Sequence, residues 1–179
     1  MSKLREAFEK GEFAITAEMA PPKGTDLSHL AECAKLVIGR VHAANVTDNQ
    51  SAVMRTSSLA TCKMLKDLGL EPVIQMTGRD RNRIAIESEM LSAGFFGIDN
   101  LLALTGDHVC VGDHKQAKPV FDLDAVSILS TATMMNNGTD STGLELKGKT
   151  DFFLGACVTP EYDPIEVPVS YTHLRAHET

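Results

Sequence analysis

The amino-acid sequence predicts a parallel α/β fold of the (β/α)8-barrel type, and three observations carry the prediction. Apolar residues switch repeatedly between strand-like and helix-like spacing, giving β-α four times and then one more strand. The strands are almost continuously apolar, as strands covered on both faces are. The turn after the first strand, Met19-Ala20-Pro21-Pro22-Lys23-Gly24, lacks the Gly-x-Gly-x-x-Gly pattern that an open dinucleotide-binding sheet places there. An open doubly wound sheet is the competing architecture, and this turn favours the barrel.

Each element has its own signal. The N-terminus, MSKLREAFEKGEF, reads as a short amphipathic helix with Leu4, Ala7 and Phe8 on one side. A first strand runs from about Phe13 to Glu18. Asp26 or Ser28 can cap a helix in which Leu27, Leu30, Ala34, Val37, Ile38 and Val41 recur at helical spacing. A second strand covers Ala43 to Thr47. Ser57 or Ser58 opens the next helix through Leu59, Cys62, Leu65 and Leu68, with Gly69 placed to stop it. The third strand is Pro72 to Met76, and a helix from about Asp80 to Ala93 closes at Gly94. The fourth strand is Leu101 to Thr105. Asp122 or Asp124 caps a helix reaching Met135, with Asn136-Asn137-Gly138 as its exit, and the fifth strand is Phe152 to Val158.

Composition narrows the function. The chain has 179 residues, 43% hydrophobic and 23% charged, which is enough for one domain with a sizeable core. No apolar run approaches bilayer length, and the N-terminus has no signal-peptide core, so a cytoplasmic protein without membrane contact is expected. A net charge of −7 argues against nucleic acid as a partner. Cysteines stand at 33, 62, 110 and 157 with no C-x-x-C pair, which predicts buried, reduced thiols and neither a disulfide frame nor a zinc site.

All five strands deliver polar groups at their carboxyl ends: Glu18, Thr47-Asp48-Asn49-Gln50, Gln75-Met76-Thr77, Thr105-Gly106-Asp107-His108, and Thr159. In a βα barrel these ends share one face, where catalytic groups collect. Polar residues also begin ordinary loops. Two carboxylates and an amide from three separate strands are harder to assign to chance. Glu18 followed by Pro21-Pro22 places a carboxylate at a strand end and then restricts the backbone. Burial in a partly dry mouth would favour the neutral acid and make Glu18 a proton donor; a structural glutamate bonded to loop amides is the other reading.

TAEMAPPKGTD, NVTDNQSAVMRTSSLA, QMTGRDRNR, LLALTGDH and KPVFDLD resemble, in order and spacing, the methylenetetrahydrofolate reductases, in particular their short bacterial form. The resemblance covers about residues 1 to 165. It implies an FAD-containing (β/α)8 barrel of which this chain holds roughly the first five strands and four helices plus the N-terminal helix. On this reading residues 1–169 are a partial barrel and the natural protein continues past about Val169 with three more βα units. Residues 170–179, SYTHLRAHET, abandon the pattern and are similar to a translated sequencing-adapter tail, so they are read as non-native. Five parallel strands leave two open edges, and the chain alone is expected to self-associate and to hold little FAD.

The resemblance also implies an activity: reduction of 5,10-methylenetetrahydrofolate to 5-methyltetrahydrofolate by hydride from reduced FAD. Glu18 aligns with the family's proton donor. Asp107 aligns with an aspartate that touches flavin and folate. Thr47, Asp48, Gln75, Thr105, Gly106 and Asp122 fall in cofactor-binding segments, Gln75 standing where a histidine is common. Thr105 replaces the arginine of an Arg-Gly-Asp segment, so NADH is not assumed as electron donor over another reductant. A homo-oligomer or a partner reductase subunit is expected in the full-length form. Two other readings stay open: a flavin-free folate-dependent methyltransferase barrel, and a non-catalytic folate- or protein-binding subunit of a reductase complex.

Three further features have two readings each. The repeated Gly-Asp-His, at 106–108 and 112–114, carries metal-ligand residue types, but the resemblance accounts for its first copy and no metal is assigned. Arg79, Arg81 and Arg83 at a helix start either receive an anion such as the FAD pyrophosphate or pair with carboxylates such as Asp80 and Glu87. Phe95-Phe96 and Met134-Met135 could be barrel-helix packing or a cofactor box, and are read as packing.

Overall fold

A computed structural model describes residues 2–158. The division at residue 169 and the tail reading lie outside the described residues. The elements run α1 (Lys3–Glu9), β1 (Thr16–Met19), α2 (Ser28–Val37), β2 (Ala43–Val46), α3 (Ser58–Asp67), β3 (Pro72–Thr77), α4 (Arg83–Phe95), β4 (Asn100–Leu104), α5 (Ala125–Asn136) and β5 (Phe153–Ala156). The five strands form one parallel sheet in the order β1-β2-β3-β4-β5. A doubly wound sheet reverses its strand order at a switch point. This order never reverses, which is the winding of a barrel segment.

Strand alternation separates two environments. Ala17, Ala44, Val46, Ile74, Met76, Leu101, Ala103 and Leu154 face the helices and share one apolar core with Leu65, Ile86, Met90, Ile128 and Met135. The opposite face carries Glu18, Asn45, Gln75 and Leu102, matched by the register Glu18↔Asn45 and Gln75↔Leu102. Helix α1 covers the lower part of that inner face. Leu4 packs with Ala43 and Val73, and Phe8 meets Phe153 edge to face at 5.5 Å. The Glu71 carboxylate accepts the amide N–H groups of Lys3 and Leu4 at 2.7 and 3.2 Å, and Arg5 donates to both carboxylate oxygens of Asp151. The polar upper half of the inner face stays open.

Caps settle the helix ends. Ser57 accepts from the Ala60 amide and starts α3. Asp124, not Asp122, caps α5, accepting from the Ser127 amide at 2.8 Å. Helix α4 begins after Asn82, whose side chain accepts from Ala85, rather than at Asp80, because Asp80 is taken up by Arg79. Gly94 lies inside α4: a Cβ there would come within 3.2 Å of Thr150 Cγ2, and Gly97 at φ +69° makes the exit instead. Asn136 stitches the end of α5 to the start of β5 through Thr150 and Phe152.

Several burial expectations are corrected. β1 pairs only with β2, so Phe13 and Ile15 are exposed and not strand core. Phe95 stands out into solvent, while Phe96 and Met135 do pack. Cys62 alone of the four thiols is buried; Cys33 is half-buried, and Cys110 and Cys157 are exposed.

Candidate active site

A depression of about 370 Å³ opens at the carboxyl ends of the strands. Glu18, Thr47, Asp48, Gln75, Gly106 and Asp107 all line it. Period-two alternation explains the gathering: Glu18, Gln75 and Thr77 each lie an even number of positions from inward-facing residues of their own strands. Arg79 and Cys157 line the same space. Gly106 is required there by its backbone, at φ +92° and with the side chains of Arg79 and Thr77 3.1 Å from any added Cβ.

The lining residues divide by what they already bind. Glu18, Gln75 and Asp107 make no side-chain hydrogen bond or ion pair among the described residues, while the main-chain carbonyl of Asp107 accepts from Arg79 at 3.2 Å. Thr47 is 2% exposed, and its hydroxyl has no partner among the described residues. A buried hydroxyl without a partner is costly in an apolar surround, so it marks a position a ligand can satisfy. Asp48 is committed: its carboxylate accepts from the Thr77 amide and hydroxyl at 2.9 and 3.0 Å and from Arg81 at 2.7 and 3.0 Å.

Two expected cofactor residues are not brought into the depression. The Thr105 hydroxyl accepts from the Ala125 amide at 3.2 Å, so it faces the start of α5. Asp122 accepts from Arg83 at 2.9 and 3.0 Å, through both guanidinium and amide, which holds its carboxyl down to about 2. Glu18 is exposed, so the burial its proton-donor role calls for is not supplied by the described residues.

The prolines after Glu18 have a structural partner. The carbonyl of Pro21 accepts from the Arg55 guanidinium at 3.0 Å, and that of Pro22 accepts from the Thr56 amide at 3.0 Å. The loop after β1 is thereby fastened to the loop after β2.

All three arginines at the start of α4 are carboxylate-paired. Arg79 meets Asp80 at 2.7 Å, Arg81 meets Asp48 at 2.7 Å and Glu89 at 2.5 Å, and Arg83 meets Asp122 at 2.9 Å. Glu87 instead accepts from the Ser141 amide. Burial pushes the Glu89 carboxyl up, with the neighbouring Asp48 adding and Arg81 opposing. No group of three or more metal-ligating side chains exists among the described residues.

The sequence missed Cys157 and Arg79 as lining residues. Cys157 continues the inward alternation of β5 by two positions from Gly155, a signal that period-two counting would have caught.

A singly wound βα sheet with its uncommitted polar groups gathered at the strand carboxyl ends defines a barrel-type ligand site. The family model described as methylenetetrahydrofolate reductase matches residues 3–137. The chain belongs to the methylenetetrahydrofolate reductase family. That membership makes it part of an oxidoreductase family of folate metabolism whose members generally use FAD. No curated protein matches the chain. No helix among the described residues is long and apolar enough to cross a membrane.

The residues present fit a flavin. The orphan Thr47 hydroxyl and the uncommitted Gln75 amide offer a donor and acceptor set suited to the heteroatom-rich edge of an isoalloxazine.

Proposed function

We propose that the depression is the site of flavin-dependent reduction of 5,10-methylenetetrahydrofolate to 5-methyltetrahydrofolate. The observation that carries this reading is the pair of uncommitted carboxylates, Glu18 and Asp107, lining one cavity with the unpartnered Thr47 hydroxyl. Reaction requires the imidazolidine ring to open to a 5-iminium cation, and opening requires a proton on the departing nitrogen. Glu18 donates that proton from the end of β1. Asp107 then stands as a fixed negative charge that stabilises the cation. Reduced FAD, when bound, supplies the hydride.

Thr47 and Gln75 hold and orient the cofactor by hydrogen bonds, and Gly106 lets the backbone approach it closely. Asp48 contributes by fixing Arg81 and Thr77 behind the cavity, not by direct contact. Water around Glu18 is displaced when ligand fills the depression.

Stopped-flow mixing of the reduced flavoprotein with methylenetetrahydrofolate tests the reading. Glu18→Gln is expected to slow flavin reoxidation by about 100- to 10,000-fold while flavin still binds. Unchanged reoxidation in Glu18→Gln would remove its role. A colourless protein that binds folate would favour the flavin-free barrel.

A further inference from the structure

The second Gly-Asp-His has no part in the site described above, yet it is tied to two other loops of the rim. Asp113 lies in the loop after β4. Its carboxylate accepts from the Lys23 ammonium in the loop after β1 and from the Met54 amide, at 3.3 Å, in the loop after β2. His114 Nδ1 lies 2.7 Å from the same carboxylate. These contacts hold the Asp113 carboxyl far below its ordinary range, the His114 and Lys23 hydrogen bonds contributing most.

The backbone beside it is built for close approach. A Cβ on Gly112 would fall 1.8 Å from the Ala52 carbonyl oxygen, so no other residue lets the two loops meet this way. On the opposite side, Asn49, Ser51 and Ala52 all take positive φ, at 44°, 56° and 56°. Three left-handed non-glycine residues in four positions persist only when surrounding contacts fix them. Asn49 is itself tied, its side chain accepting from the Arg55 amide at 2.9 Å and donating to Asp80 at 3.2 Å.

We propose that Asp113 is a positioning residue. It clamps the loops after β1 and β2 into one rim, and through them fixes the strand exits that carry Glu18 and Thr47. The route to Glu18 runs from Lys23 through Pro22 and Pro21, whose carbonyls are held by Thr56 and Arg55. The route to Thr47 runs from Met54 and Arg55 through Asn49. An exposed ion pair contributes little by itself. The clamp arises because one carboxylate gathers donors from two loops where Gly112 lets the backbones touch. This inference rests on the depression being the ligand site.

Amide exchange on the full chain, without ligand, tests the clamp in Asp113→Ala, Lys23→Met and the double variant. Asp113→Ala is expected to speed exchange at Met54 and Thr56 by about 10-fold, with β3 and β4 amides unchanged. Lys23→Met is expected to speed exchange at Thr56, whose amide donates to the Pro22 carbonyl, by a smaller factor. Because Lys23 acts through Asp113, the double variant is expected to open the loops no further than Asp113→Ala. Asp113→Glu, which keeps charge and acceptors, is expected to restore most of the protection. Unchanged exchange in Asp113→Ala, or fully additive effects in the double variant, would overturn the clamp. In the flavin-loaded protein, Asp113→Ala is expected to lower kcat more than it raises KM; an equal loss in Asp113→Glu would overturn the positioning role. Absence of reductase turnover in the wild type would sink the functional reading alone, and the exchange measurements would still decide the clamp.

Discussion

The guanidinium of Arg79 donates to the main-chain carbonyl of Asp107 at 3.2 Å, across from the loop after β3 to the exit of β4. Arg79 is 2% exposed, and it also donates to the Asn49 carbonyl at 3.1 Å and to both oxygens of Asp80. A cation therefore sits beside Asp107 although residue 105 is a threonine. Arg79→Met removes that fork and leaves Asp80 with the Asn49 amide but without its paired cation. With Asp80 about one-third exposed, a loss of about 2 kcal/mol is expected in urea unfolding. Arg79→Lys is expected to recover only part of it, because an ammonium cannot span these acceptors as a planar fork does.

Arg81→Met is expected to cost more. Asp48 is 1% exposed in its side chain, and Glu89 is 15% exposed, so both would be left in a dry surround without their cation. Breaking a buried pair in this way costs about 3–5 kcal/mol. The double variant Arg81→Met/Asp48→Asn should be milder, because only Glu89 is then left without its cation. Denaturant midpoints for the two variants check this.

The Arg83–Asp122 tie predicts an acid limb. Hydrogen bonds from the Arg83 side chain, then from its amide, hold Asp122 at about 2, below its ordinary 3.8. A native value below the unfolded one gives stability that is fully present above the unfolded carboxylate range and is lost as pH falls towards 2. The Asp122 carboxyl carbon resonance is expected to titrate near 2 and to move back towards the ordinary range in Arg83→Gln.

Thiol labelling should separate the cysteines. Burial, with Asp48 and Glu89 adding to it, pushes the Cys62 thiol far above its ordinary range. Cys62 is expected to react with a disulfide reagent at least about 100-fold more slowly than exposed Cys110 and Cys157 in the native state, and at an ordinary rate once unfolded. Flavin bound in the depression should protect Cys157 but not Cys110, which gives a footprint of occupancy.

Much of the architecture was legible in the residues. Four of the five strands lie within a residue or two of their apolar runs, because the strand positions that face the helices must be apolar. Local hydrogen-bonding chemistry narrowed two helix caps to Ser57 or Ser58 and to Asp122 or Asp124, and the fold chose Ser57 and Asp124. The start of α4 was also the fold's choice, because Asp80 and Asn82 are both good caps and only the position of Arg79 decides between them. Phe13 and Phe95 misled for a related reason: hydropathy reports what a side chain prefers, not whether a neighbour arrives to cover it.

The candidate site shows the same division. Alternation along the chain alone determined that Glu18, Gln75 and Gly106-Asp107 follow β strands at their carboxyl ends, and the shared direction of parallel strands then determined that they meet. Only the tertiary structure decided which of them remain uncommitted. Asp48, Thr105 and Asp122 have the same chemistry on paper as the residues that stay open. Each is taken up by a partner, Arg81, Ala125 or Arg83, that lies 20 to 39 positions away. Hydrogen bonds are short-ranged and directional, so which donor reaches which carboxylate depends on how the loops fold over the rim and not on sequence order.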